Sequence, residues 1–145
     1  MTRRFPHILL VSMPWAPADR PSLAIGALLA IARSHGFDCK STYPNLHFSA
    51  LVDYKVYEYF TLNPSLIPLA EHLFAVDIFG KDALDSDNYL ETYLGETSAY
   101  CRTHPQPSPL RELRDTLIPA FLEQCADTLI NTKAEVIGFS CTFTQ

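Results

Sequence analysis

The sequence predicts an α/β fold built on a parallel sheet, and three observations carry this. Residues 7–13 read His-Ile-Leu-Leu-Val-Ser-Met, a continuous apolar run stopped by Pro14. Such a run suits a strand covered on both faces, the usual condition of a parallel sheet. A helical pattern and a second short strand follow directly, in the length of one βαβ unit. A third run, Val136-Ile137-Gly138-Phe139-Ser140, lies near the other end of the chain and reads as another buried strand.

The elements follow in order. The strand at 7–13 leads into a loop, Met13 to Pro21, with prolines at 14, 17 and 21 and the single tryptophan at 15. Fixed φ angles and missing donors keep this loop out of both helix and ladder. Ser22 to His35 is helical, with a broad apolar face made by Leu23, Ile25, Leu28, Leu29, Ile31 and Ala32. Ser22 is placed to cap its start and Gly36 to follow its end. Phe37 to Tyr43 reads as the second strand, reached by a right-handed crossover.

Residues 45–133 read as helices and turns without a strand. Leu46–Phe60 is one helix. Ser65–Phe79 is another, with Pro68 in its first turn, where a missing donor costs little. Asn88–Tyr100 is a third, interrupted by Gly95. Three prolines break the chain over 103–109, and Leu110–Ile130 forms a long helix bent at Pro119. The third strand lies within 134–142. The gap between strands two and three far exceeds one crossover, so the excess is a large helical insertion. A sheet that stops just after its third strand is expected to be the N-terminal piece of a longer polypeptide, because open α/β sheets typically carry five or six strands.

Composition excludes several function classes. The chain has 145 residues, which suits one domain, and 48% of them are apolar, which rules out a disordered segment. The net charge of -5 gives no basic footprint for nucleic acid. The longest apolar stretch, Leu23 to Ala32, is far short of the ~20 residues of a membrane span. The run Ile8–Met13 is too short for the core of a secretory signal. The four cysteines, Cys39, Cys101, Cys125 and Cys141, therefore belong as thiols in a cytoplasmic protein. The histidines at 7, 35, 47, 72 and 104 show no metal-ligand spacing, and no glycine-rich phosphate loop is present. His47, just after the second strand, reads as a surface or capping residue. Tyr54 and Tyr57, at helical spacing, read as aromatics packed on the insertion's own core. The acidic stretch Lys81–Glu91 reads as a solvated loop and helix-start charge.

Ligands of doubly wound sheets bind beyond the carboxyl ends of the strands, where the strand order reverses. With order 2-1-3, that place lies between strands one and three. The candidate cofactor-binding residues are therefore Ser12, Met13, Pro14 and Trp15 in the first loop, and Ser140, Cys141, Thr142 and Phe143 in the second. Ser12, Ser140, Thr142 and Thr144 offer hydroxyls to a cofactor's side chains or phosphate, or else cap the strand ends. Trp15 and Phe143 either wall a large ring or fold back as local hydrophobic caps. Cys141 reads as a buried thiol. No catalytic or metal-ligating residue is expected.

The run Leu9-Leu10-Val11-Ser12-Met13-Pro14-Trp15-Ala16-Pro17, followed by Arg20-Pro21-Ser22-Leu23-Ala24-Ile25-Gly26-Ala27-Leu28-Leu29, resembles the start of radical SAM proteins that mature ribosomally made peptides. It is also similar, more broadly, to radical SAM enzymes with a cobalamin-binding domain. Tyr43-Pro44-Asn45-Leu46-His47-Phe48, Leu73-Phe74 with Ile78-Phe79-Gly80, and Val136-Ile137-Gly138-Phe139-Ser140-Cys141-Thr142-Phe143-Thr144-Gln145 add to the likeness. The resemblance is scattered over most of the chain.

It implies a flavodoxin-like domain of the cobalamin-binding type, joined to a radical SAM barrel beyond residue 145. It further implies a [4Fe-4S] cluster and S-adenosylmethionine in the parent protein, a precursor peptide as substrate, and modification of that peptide, with C-methylation as one form. Two departures matter. No Cys-x-x-x-Cys-x-x-Cys is present, so this chain alone is not expected to carry radical chemistry. No Asp-x-His-x-x-Gly is present either, so that motif supplies no histidine to cobalt. Two alternatives stand beside this reading. One is a non-catalytic scaffold or peptide-recognition domain that kept the fold and lost cobalamin. The other is a flavodoxin-like domain for a different anionic ligand.

Overall fold

The computed structural model of the chain describes residues 6–96 and 108–140. Its sheet has three strands, β1 (His7–Ser12), β2 (Asp38–Thr42) and β3 (Val136–Ser140), in the order β2-β1-β3. Both pairings are parallel. The chain is thus α/β with a parallel sheet, and the strand order reverses between β1 and β3.

Two compact units make up the chain. The first comprises Met1–Pro64 with Gln124–Gln145, and the second Ser65–Glu123. In the first, α1 (Leu23–Ser34) crosses from β1 to β2. The Ser22 hydroxyl caps it by accepting from the Ile25 amide at 3.3 Å. Gly36, with φ 85°, turns the chain out of the helix in the left-handed region that glycine enters without penalty. Leu9 and Val11 of β1, Ile25 of α1 and Cys39 of β2 are buried. Gly138 lies beside its register partner Leu10, where an added Cβ would come within 3.1 Å of Leu10 Cδ2. At the amino ends of β1 and β3 the backbones of His7 and Glu135 are clamped. The Glu135 amide donates to the His7 carbonyl, and the His7 amide donates to the Glu135 carboxylate, both at 2.9 Å.

Two expectations about this unit are corrected. The third strand, at a sheet edge among the described residues, is not buried: Val136 and Phe139 are 48% and 53% exposed. The apolar face of α1 is also mostly uncovered. Ile25 is buried while Leu23, Leu28 and Ile31 are exposed, because only one stripe of an almost wholly apolar helix meets the sheet.

The expected helix Leu46–Phe60 is two helices, α2 (Pro44–Leu51) and α3 (Tyr54–Leu62). Asp53 separates them. Its φ is 72°, and its carboxylate accepts from the Lys55 amide at 2.8 Å to cap α3. Both helices belong to the first unit.

The second unit begins with α4 (Ile67–Phe79), whose first turn carries Pro68, and continues with α5 (Ser86–Glu96). The expected break at Gly95 does not occur, and residues 97–100 lie outside the described part. Then come α6 (Ser108–Glu112), a π-helical stretch (Leu113–Leu117) and α7 (Ile118–Asn131); the unit boundary falls inside α7. The bend expected at Pro119 is a widened turn just before it. Proline cannot donate to the Asp115 carbonyl and its ring crowds that group, so Ile118 bonds instead to Leu113.

Arg114 is the buried centre of this unit. Its side chain is fully buried, and it donates to the Ser86 hydroxyl (2.9 Å), Asp87 (2.9 Å) and Asp115 (2.6 and 2.9 Å). Ser86 also bonds His72 Nε2 at 2.7 Å, and the His72 ring stacks on Tyr89 at 4.0 Å. Because guanidinium can only donate, Ser86 accepts from Arg114, while the direction of its bond with His72 follows the His72 tautomer. The acidic stretch is therefore not only solvated: Asp87 is tied to Arg114 and Lys81.

Candidate functional site: a cleft at the carboxyl edge of the sheet

Ser12 and Ser140 are register partners, so they stand side by side at the carboxyl ends of β1 and β3. Both line a cleft of about 560 Å³. The size falls within the range of about 300–1,000 Å³ typical of small-molecule sites. The cleft lies where the strand-order argument placed it.

Its other walls come from three segments. The loop Ala16 to Pro21 forms one side, and the start of α1, with Ser22, Leu23 and Ala24, forms another. Tyr43, Asn45 and Leu46, around the start of α2, complete it. The first turn of α1 holds no acidic residue, so the positive end of its dipole is uncompensated at the cleft. The charged lining residues are Asp19 and Arg20, and they neutralise each other: Arg20 donates to the two carboxylate oxygens at 2.9 and 3.0 Å. Hydrogen bonding to Arg20 holds the Asp19 carboxyl below its usual range.

Asn45 is the unusual member of this lining. It is 3% exposed. Its Nδ2 donates at 3.5 Å to the carbonyls of Ala16 and Pro17, and its Oδ1 is buried with no hydrogen-bond partner among the described residues. A buried acceptor left unpaired costs about 1–3 kcal/mol.

Met13, Pro14 and Trp15 do not line the cleft. Trp15 turns instead to α2 and α3, stacking on Phe60 (4.8 Å) and Tyr57 (5.3 Å) and meeting Phe48 edge-on (5.4 Å). It adopts φ 66°, an unusual conformation for a bulky residue, held by this packing. Tyr57 is fully buried and its hydroxyl donates to the Ala16 carbonyl at 2.6 Å. Burial pushes its phenol above the usual range, so it acts as a donor at every relevant pH. Tyr57 and Phe60 thus pack on the first loop, as well as within α2 and α3. Cys141, Thr142 and Phe143 lie outside the described residues, as does Thr144.

The strand-end rule pointed to the first loop and the end of the third strand, and of the residues named there Ser12 and Ser140 line the cleft. Within the first loop the lining falls on Ala16 to Pro21 rather than on Met13 to Trp15, and Asn45 and the start of α1 were missed. A polar residue directly after Pro44 at a helix start was the one local sign of Asn45.

His47 lines a separate, smaller cavity of about 130 Å³ with Cys125 and residues at the end of β2 and on α7. Burial pushes the Cys125 thiol up, so it is not primed as a nucleophile. Cys39 and Cys125 are both free, buried thiols. Among the described residues there is no group of three His, Cys, Asp or Glu side chains placed to hold a metal ion. Among them, too, no helix is long and apolar enough to cross a membrane.

No protein-family model matches the chain, and no curated protein or solved structure does either.

Proposed function

We propose that this chain is the flavodoxin-like, cofactor-binding domain of a cytoplasmic radical SAM enzyme that modifies a ribosomally made peptide. In this reading cobalamin occupies the carboxyl-edge cleft. The observation that carries it is the cleft itself, opened beside Ser12 and Ser140 at the point where strand order reverses. The sequence resemblance supplies the identity of the ligand.

The lining is compatible with a corrinoid in two respects. Ser140 and Ser22 offer hydroxyls to amide and phosphate groups. Ala16, Ala18 and Ala24 leave a smooth wall. Among the described residues no histidine lines the cleft. A corrinoid is larger than the cleft of about 560 Å³, so the cleft would take only part of it. When bound, the cofactor would supply the chemistry of the modification, of which C-methylation is one form, while this domain binds, orients and shields it. The [4Fe-4S] cluster, S-adenosylmethionine and precursor peptide belong to a radical SAM barrel acting with this domain.

The test is a titration with hydroxocobalamin, followed by desalting and a visible spectrum of the retained corrinoid. Stoichiometric retention supports the reading, and a folded protein that retains none overturns it.

A second reading is a recognition scaffold without cofactor. It is favoured by the exposed apolar side chains of Leu28 and Ile31 on α1 and of Ile137 and Phe139 on β3, each suited to packing against protein.

A further inference from the structure

We propose that the small cavity at the end of β2 is a second compartment of the cofactor site, and that it takes an uncharged carboxamide arm of a corrinoid lying across the cleft. This inference rests on the cobalamin reading of the site.

Three observations lead to it. The first is position. Both cavities belong to the first unit and lie at the carboxyl edge of its sheet. Ser140 of β3 and Ser12 of β1 line the cleft, and Thr42, the last residue of β2, lines the small cavity. In the order β2-β1-β3 these are successive strand ends, and Thr42 pairs with Val11, next to Ser12. Neighbouring strands lie about 4.8 Å apart, so one ligand of modest breadth covers all three ends. The second is continuity. Tyr43 lines both cavities, so the two adjoin. It is exposed, and among the described residues its side chain makes no hydrogen bond or ring contact. An aromatic face with a polar tip suits a ligand that passes from an apolar space to a polar one. The third is size: a corrinoid overhangs a cleft of about 560 Å³.

The chemistry of the small cavity sets what enters it. Thr42, His47, Gln124 and Thr128 are its polar lining, and among the described residues no Asp, Glu, Lys or Arg lines it. Gln124 and Thr128 stand one turn apart on α7, and both are exposed, so a ligand reaches them. The Thr128 hydroxyl donates to the Gln124 backbone carbonyl at 2.8 Å, which leaves its lone pairs to accept. The Gln124 side chain can donate and accept. This pairing matches a primary carboxamide, which offers both. A carboxylate would face the Thr128 lone pairs with no cation at hand, and an ammonium would find no carboxylate.

The test uses two variants. Thr128→Trp fills the small cavity from an exposed helix position outside the cleft, and Thr128→Val keeps the shape but removes the acceptor. The probes are hydroxocobalamin and its separated monocarboxylic acids, in each of which one peripheral amide is hydrolysed. Equilibrium dialysis gives the affinities. Thr128→Trp should bind hydroxocobalamin at least about tenfold more weakly than wild type, at an unchanged melting temperature. Wild type should bind one monocarboxylic acid at least about threefold more weakly than hydroxocobalamin, and Thr128→Val should bind those two alike. Undiminished affinity in a folded Thr128→Trp overturns the inference and leaves the cobalamin reading standing. The inference also fails if wild type binds every probe equally, or if its preference persists in Thr128→Val. That comparison decides alone should Thr128→Trp not fold. No retention of hydroxocobalamin by wild type overturns the cobalamin reading, and this inference with it.

Discussion

The Tyr57 hydroxyl donates to the carbonyl of Ala16 at 2.6 Å, joining positions 41 residues apart. Through this bond α3 holds the wall of the cleft. Ala16 is buried, and the same carbonyl lies 3.5 Å from Asn45 Nδ2. Removing the phenol oxygen leaves this carbonyl with only the weaker partner. Tyr57→Phe should therefore lose about 1–3 kcal/mol of stability in urea unfolding. An unchanged midpoint would show that the bond does not hold the loop.

Trp15 reports on the same anchor, because it is the only tryptophan in the chain. Its ring lies among Phe48, Tyr57 and Phe60, so its fluorescence should follow global unfolding. Trp15→Ala should cost about 3 kcal/mol, the lower end for a large aromatic, since Trp15 is only half-buried. Thermal melts check this. A loss under about 0.5 kcal/mol, as at an ordinary surface position, would contradict the packing described.

Acid should destabilise the chain in two stages. Burial holds the His72 pKa below its ordinary value, followed in effect by the nearby Arg114 charge. The unfolded chain therefore binds a proton that the folded chain resists. His72 contributes its full stability above about pH 6.5 and loses it as pH falls from there toward the lower folded value. Hydrogen bonds from Arg114 hold Asp87 and Asp115 below the usual carboxylate range. Their contribution is present above about pH 3.9 and is lost as pH falls below it. Melting temperatures from pH 7.5 to 3 check this, and His72→Gln should remove the first stage while leaving the second.

Exposed apolar side chains on an edge strand invite pairing between chains. Val136, Ile137 and Phe139 are all exposed on β3. The 145-residue chain should self-associate as its concentration rises, and Phe139→Lys should reduce that association in sedimentation velocity. A monomer at all concentrations would contradict the expectation.

Much of the sheet unit was legible because its signals are local. The apolar run of β1, the Ser22 cap and Gly36 each act within a few residues. The strand-end rule then led to Ser12 and Ser140. The remainder depends on contacts distant in sequence. Nothing near Trp15 tells whether its ring faces the cleft or Phe60, and nothing near Asn45 tells that the carbonyls of Ala16 and Pro17 will meet it. Nothing near Arg114 in the sequence tells that α5 will bring Ser86 and Asp87 to it. The apolar residues of α1 and β3 predict burial by pattern, yet a pattern does not say which faces are covered.

The most direct test of the central claim is to block the cleft without touching the core. Ala24 is exposed on α1 and lines the cleft, so Ala24→Trp should fill it and leave the fold intact. The measurement is equilibrium dialysis of hydroxocobalamin against wild type and Ala24→Trp, with melting curves for both. The account expects one equivalent bound by wild type and loss of binding by the variant at an unchanged melting temperature. Equal binding by the two proteins would contradict it by placing the corrinoid elsewhere, and no binding by either would remove cobalamin from the cleft.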